Sequence, residues 1–264
     1  MVTRADIERG LRELGLDKSS HVLVHSSFKS FGGVEGGPLT VVQALVDSLG
    51  TVMMPAFTAD RTGVWDPAGA FEGNAYPSQR PADWHNAEPF TYETPIERGL
   101  GVIPETFRTT FPVRRSLNPL VSFIAYGALA EGLCGPGTEV DAVEPVRRLM
   151  DAGGDVLLLG VTHTNSTAIH LAEQLAGREL FVRYALTPDG VRAVRSGGCG
   201  EGFDDLQPHV EHLERRTTAG GATLRCYRLA PYVATARELI EREPFALLCE
   251  SCDRCRAHRG RVPV

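Results

Sequence analysis

His170 follows the run Thr162-His163-Thr164-Asn165-Ser166-Thr167, which itself leads off the apolar stretch Asp155 to Val161. A strand, a polar loop and a helix opening near Ser166 or Thr167 would place His170 in the helix's first turn. That is the carboxyl end of a strand, where α/β proteins tend to hold ligands. An imidazole there is a candidate general base; a histidine satisfied within the fold is the competing reading. Glu173, three residues on and on the same helix face, would orient His170, meet a ligand or pair with an arginine.

Three other groups of residues could carry chemistry. The loop Ser26-Ser27-Phe28-Lys29-Ser30-Phe31-Gly32-Gly33 lies between a strand and a helix, where backbone amides and hydroxyls can hold an anionic group. It has neither P-loop nor dinucleotide-turn spacing, and an ordinary polar turn is the alternative. Residues 58–98 hold seven acids against three arginines, with Trp65, Trp84 and five prolines. An acidic aromatic loop this long suits a cationic ligand, with Asp60 and Glu72 as candidate contacts, unless it is merely solvated. Cys249-x-x-Cys252-x-x-Cys255 lacks one ligand for a tetrahedral zinc site. Cys199 is the first candidate to complete it, with His209, His212 or His258 as alternatives; a reduced thiol cluster or redox chemistry are the other readings.

The elements that must position these groups alternate along the chain. Thr3 and Asp6 form a relaxed capping box before Ile7, Leu11 and Leu14, with Gly15 as the stop. Strands are expected at His21 to Ser26, Thr51 to Phe57, Val121 to Tyr126 and Asp155 to Val161. Helices are expected at Pro38 to Leu49, Gly101 to Thr110 and Val143 to Ala152. A hairpin at Leu180 to Arg195 turns on Pro188-Asp189-Gly190. Helices near Pro208 to Arg216 and Pro231 to Glu243 would flank a strand at Ala222 to Leu229. This grammar predicts mixed sheet layers with flanking helices over residues 1–264, one α/β unit with the 58–98 loop over its cleft and a cysteine-rich tail at 249–258.

Composition narrows the partners. The 264 residues are 42% apolar, enough for a substantial core, and the net charge of −6 with no long basic block argues against nucleic acid. No membrane-length apolar run or signal sequence is visible, so a cytoplasmic protein with reduced cysteines is expected, its oligomeric state, monomer or homodimer, left open. Only Lys18 and Lys29 are lysines, most simply a codon bias, although Lys29 falls in the anion-binding loop.

Five blocks in order carry a resemblance: H-V-L-V-H-S-S-F-K-S-F-G, T-V-M-M-P-A-F-T, G-V-I-P-E-T-F-R, R-R-S-L-N-P with S-F-I-A-Y-G, and L-L-L-G-V-T-H-T-N-S-T-A-I-H-L-A-E. From about His21 to Glu173 the chain resembles the aminoglycoside 3-N-acetyltransferase family, the antibiotic N-acetyltransferases. The resemblance implies an α/β fold distinct from the general N-acetyltransferase superfamily, acetyl-coenzyme A as donor, and direct acetyl transfer to an amine of an aminoglycoside, at the 3-N position, in antibiotic resistance. It maps the coenzyme A loop onto Ser26 to Gly32 with Arg115 and Ser116, and the base onto His170. Thr167 and nearby backbone amides are candidates to stabilise the oxyanion. A carboxylate orienting the imidazole is sought in the C-terminal third, with Asp205 ahead of Asp204, Glu201 and Glu173. The family pattern has His-Pro after the Arg-Ser pair where this chain has Asn118-Pro119, which leaves open any ligand contact of that histidine. Acetylation of another biosynthetic amine, such as an aminophosphonate or aminonucleoside, and a non-catalytic coenzyme A or metal-binding module are the alternatives.

Overall fold

The computed structural model describes residues 1–64 and 86–261. In chain order the helices are α1 (Arg4–Glu13), α2 (Pro38–Ser48), α3 (Ala59–Thr62), α4 (Val102–Thr110), α5 (Ala130–Cys134), α6 (Glu144–Asp151), α7 (Ala168–Leu175), α8 (Gln207–Val210), α9 (Leu229–Arg242) and α10 (Asp253–Arg261). The strands are β1 (His21–Ser26), β2 (Thr51–Pro55), β3 (Gly63–Val64), β4 (Arg114–Arg115), β5 (Phe123–Gly127), β6 (Asp155–Leu159), β7 (Phe181–Thr187), β8 (Gly190–Ser196), β9 (Arg215–Ala219) and β10 (Ala222–Arg228). Most expected elements are present within a residue or two. The exception is Pro208 to Arg216: only a turn of helix forms, and Arg215 to Ala219 pairs antiparallel with β10, because Arg216, Thr217 and Thr218 suit a pleated edge better than a helix face.

A seven-stranded sheet in the order β4-β5-β2-β1-β6-β10-β9 forms the frame, with a second sheet, β3-β7-β8, beside it. Strands β2, β1 and β6 run parallel at the centre and are flanked by antiparallel strands. Parallel strands buried on both faces need apolar residues at every position, as Asp155-Val156-Leu157-Leu158-Leu159 nearly supplies. Alternation then sorts side chains between two layers. Val22, Val24, Leu157 and Leu159 pack with residues of α1, α2 and α4. Leu23, Val156 and Leu158 pack with α6, α7 and α9. His25 shares the parity of Leu23, so β1 aims it at the α7 layer.

Local signals account for the helix ends. The Thr3 amide donates to Asp6 Oδ2 at 2.9 Å and the Asp6 amide to Thr3 Oγ1 at 3.3 Å, the reciprocal pair expected of a capping box. Gly15, at φ 68°, takes the left-handed turn that ends α1. Among the described residues no helix is long and apolar enough to cross a membrane.

Arg115 and Ser116, expected as coenzyme contacts, are instead buried and bonded within the protein. The Arg115 guanidinium is 2% exposed; it donates to the Ala56, Tyr92 and Thr94 carbonyls and to Ser122 Oγ, and lies 5.1 Å from the centre of the Phe90 ring. Burial, with Arg108 nearby, pushes its pKa down to about 10, so it stays charged at neutral pH. Ser116 Oγ accepts the Phe123 amide at 2.8 Å and is fully buried. Arg115 therefore fastens the β4–β5 corner to the loops after β2 and before α4, and Ser116 closes the corner on itself. Asn118 works alongside them, accepting the Leu120 and Val121 amides and donating to the Val140 carbonyl. Arg115→Ala removes this donor from the Tyr92 and Thr94 carbonyls and leaves Ala56 with Ser122 Oγ alone, and should cost about 3–5 kcal/mol in urea unfolding. Arg115→Lys should recover little, since an ammonium cannot span three sites.

Candidate active site

A cavity of about 270 Å³ opens between the two sheets. Phe57 and Phe123 line it from the large sheet, Val64, Tyr184 and Ser196 from the small one, and His170 and Thr167 from the start of α7. A smaller depression of about 60 Å³ adjoins it at the carboxyl ends of β1 and β2, lined by His25, Ser26, Pro55 and Asn165. Phe57 and Thr167 border both spaces, so the two meet beside Thr167.

His170 sits three residues into α7, with Thr167 as the helix cap residue. Its Nδ1 lies 2.6 Å from Glu173 Oε2, and its side chain is 16% exposed, facing the cavity. An ionised carboxylate only accepts, so Nδ1 carries the proton and Nε2 is the atom left to take one. Glu173 Oε1 accepts from Arg178 Nη1 at 2.6 Å, and Arg178 Nη2 donates to the Pro244 and Ala246 carbonyls at 2.9 Å each. Burial alone would raise the Glu173 pKa, but His170 and Arg178 together hold it below the usual carboxylate value. The ring is further confined by Phe203, edge-on at 5.1 Å, and by Gly197, where a Cβ would stand 2.4 Å from His170 Cγ.

The carboxylate on the imidazole is thus Glu173 and not Asp205. Asp205 is exposed in the turn before α8, and its neighbour Asp204 accepts the Thr164 amide. Glu173 itself, 2% exposed with both oxygens engaged, is closed to substrate, which removes it from the expected substrate contacts.

His25 was not among the expected site residues. Its Nε2 accepts the Thr167 amide at 3.3 Å and lies 3.2 Å from Thr167 Oγ1, so β1 fixes the point at which α7 begins. Full burial, reinforced by His170 nearby, pushes its pKa down to about 3. It is a neutral positioning group. The alternation of His21-Val22-Leu23-Val24-His25 was the signal that could have found it.

The loop after β1 divides. Phe31 is 2% exposed and belongs to the core; Ser30 Oγ donates to the Ser27 carbonyl at 2.7 Å; Gly32 ends the turn at φ 74°. These three shape the loop, whereas Ser26 and Ser27 are half-buried, Lys29 is exposed, and none of their side chains is bonded to the described residues. Phe28 packs partly on the core. Among the acids, Asp60 is exposed on α3, Glu72 lies outside the described residues, and Glu97 lines the cavity. Burial, then the charge of Asp60, raises the Glu97 pKa while Arg254 opposes the rise.

The four cysteines come together. Cys199, Cys249, Cys252 and Cys255 place their sulfurs within 4.8 Å of one another, with Cys199–Cys249 at 3.8 Å and Cys249–Cys255 at 3.6 Å. Of the alternative fourth ligands, His258 instead packs on Phe181 and His209 and His212 are exposed.

A carboxylate-held histidine that faces a cavity at the start of α7, on a mixed sheet, is a constellation suited to proton transfer. The sequence profile described as aminoglycoside 3-N-acetyltransferase matches residues 23–241. Aminoglycoside N(3)-acetyltransferase IV of Salmonella sp is 30% identical over 275 residues, covering 99% of this chain and 96% of that protein. A variant of aminoglycoside acetyltransferase AAC(3)-IVa, in complex with a gentamicin, aligns with TM-score 0.80 at 28% identity over 99% of this chain and 98% of the other. AAC-IIIb, in a binary complex with CoASH, aligns with TM-score 0.71 at 25% identity, over 91% and 96%. The chain belongs to the aminoglycoside 3-N-acetyltransferase family and is an acetyl-coenzyme A-dependent N-acetyltransferase.

Glu173→Gln should lower kcat by roughly 10²-fold, and lower stability because Arg178 is left as an unpaired buried charge; Asp205→Ala should change neither, as steady-state kinetics and urea melts will read. His25 has an acid-limb signature. An unfolded histidine titrates near ~6.5 and folded His25 near about 3, so the unfolded chain binds the extra proton between these values. Its contribution is complete above the upper value and declines as pH falls below it. In calorimetry, His25→Gln should flatten the fall in Tm between about pH 6.5 and 4.

Proposed function

We propose that the protein transfers the acetyl group of acetyl-coenzyme A to an amine of an aminoglycoside, at the 3-N position named for its relatives, with His170 as general base. The observation that carries this reading is the 2.6 Å contact between His170 Nδ1 and Glu173, which aims the other ring nitrogen's lone pair at chemistry in the cavity. The amine enters the larger space and the thioester approaches from the β1–β2 depression, so the two meet beside Thr167. Ser26, Ser27 and Lys29 are the loop residues with free donors for the coenzyme.

The chemistry follows. An ammonium cannot attack until it loses a proton, which His170 Nε2 accepts while Glu173 stabilises the resulting imidazolium. The amine nitrogen bonds to the thioester carbon, and the oxyanion that forms is within the province of the Thr167 hydroxyl. Such a donor contributes on the order of 3 kcal/mol in comparable sites. Collapse breaks the carbon–sulfur bond, His170 returns its proton to the leaving thiolate, and the second proton on the acylated nitrogen passes to solvent, leaving a neutral amide and free thiol. No covalent acyl-enzyme is needed.

The thiol cluster is best read as a structural zinc site. Zinc–sulfur bonds of about 2.3 Å in a tetrahedron separate sulfurs by about 3.8 Å, close to the two spacings of 3.8 and 3.6 Å. Zinc there would join the glycine segment beside His170 to the start of α10.

Thiol release with acetyl-coenzyme A and panels of aminoglycosides, aminophosphonates and aminonucleosides tests the substrate class; turnover confined to small, weakly charged amines would reject the aminoglycoside reading. His170→Ala should lose roughly 10²-fold or more in turnover with coenzyme A binding retained. Lys29→Ala should raise the KM for acetyl-coenzyme A several-fold. Protein purified without a histidine tag should carry about one zinc per chain, and Cys252→Ser should lose it.

A further inference from the structure

The cysteine-bearing tail reaches the substrate cavity. Arg254, between Cys252 and Cys255 in the first turn of α10, lines the same space as His170 and Glu97. One nitrogen, Nη1, donates to the Gly198 carbonyl at 3.0 Å, next to the glycine that confines the His170 ring. Its other donors have no partner among the described residues. Arg254 opposes the rise in the Glu97 pKa, so the two charges feel each other. They form no ion pair within 4.0 Å, and Glu97 makes no other side-chain bond to the described residues. A carboxylate and a guanidinium therefore face one cavity with a gap between them.

We propose that Arg254 is a specificity-determining residue, which makes this corner of the cavity favour an acceptor edge bearing hydroxyl or anionic oxygen and disfavour one bearing an ammonium. The proposal rests on the aminoglycoside reading and narrows it to amino sugars that present one ammonium toward Glu97 and an oxygen-rich edge toward Arg254. Arg254 lines the cavity but is exposed, so solvent and salt screen its repulsion of an ammonium, and the guanidinium grades ligands by which of them place an amine against it. An arginine also offers paired donors to oxygen acceptors, which a vacant wall would not. The tail thereby contributes to substrate choice without touching the reacting atoms.

The test compares a highly charged aminoglycoside with an amino sugar of fewer ammonium groups, in wild type, Arg254→Glu and Arg254→Lys. Both turnover and calorimetric binding without acetyl-coenzyme A are read. Arg254→Glu should shift the ratio of kcat/KM values toward the more charged ligand by about tenfold or more, expressed in KM more than in kcat, with the same direction in calorimetric Kd and a smaller shift at high salt. Arg254→Lys should keep the wild-type preference. Unaltered Tm and zinc content will show that the tail is intact. A ratio unchanged within twofold in both measurements overturns the role of Arg254. A shifted binding ratio with no acetylation of either ligand by wild type upholds it and overturns the acetyl-transfer reading instead; no binding of either ligand overturns both.

Discussion

A carboxylate moved out of water loses solvation worth several kcal/mol unless partners replace it. Glu173 is almost wholly buried, and each of its oxygens has a separate use: one holds a ring nitrogen of His170 and the other an arginine anchored on two backbone carbonyls. The arginine keeps the carboxylate ionised, the ionised carboxylate fixes the imidazole tautomer, and the tautomer leaves the cavity-facing nitrogen with a free lone pair. Removing any member leaves the next with an uncompensated charge or a free rotation. Much of the surrounding structure serves to hold this chain of contacts in place.

Two elements set its position from opposite sides. The parallel centre of the large sheet ends at the cleft, and β1 delivers His25 to the first amide of the α7 turn. Because His25 is neutral far below physiological pH, that anchor does not respond to the proton that His170 is proposed to carry. From the other side, the end of β8 runs into Gly197, whose missing side chain lets the second sheet close on the ring. The cavity is the space left between a sheet edge and a hairpin sheet, and its chemistry depends on their separation.

Features encoded by near neighbours were legible in the sequence. The Thr3–Asp6 cap, the glycine stop, the apolar β6 run and the turn that starts α7 each depend on residues a few positions apart, and His170 was placed from them. Glu173 was visible at helical spacing, yet its ranking below Asp205 was wrong because its second partner, Arg178, is explained only by carbonyls at residues 244 and 246. Arg115 and Ser116 looked like anion ligands by type; only three-dimensional packing shows that their donors and acceptors are consumed by backbone. The cysteines were the opposite case. Cys199 lies 50 residues from Cys249, yet the three-thiol spacing pointed to a fourth partner, and the fold brings the Cys199 sulfur beside the other three.

The two carbonyls that receive Arg178 have a consequence for biosynthesis. They lie 66 and 68 residues after it, so α7 is made long before the segment that anchors its arginine partner. As a ribosome extends the chain from its amino end, the parallel centre of the sheet and α7 are available while Glu173 and Arg178 still lack their final anchor. An emerging chain can thus hold much of its scaffold while the arginine that pairs with Glu173 still lacks the two carbonyls at residues 244 and 246.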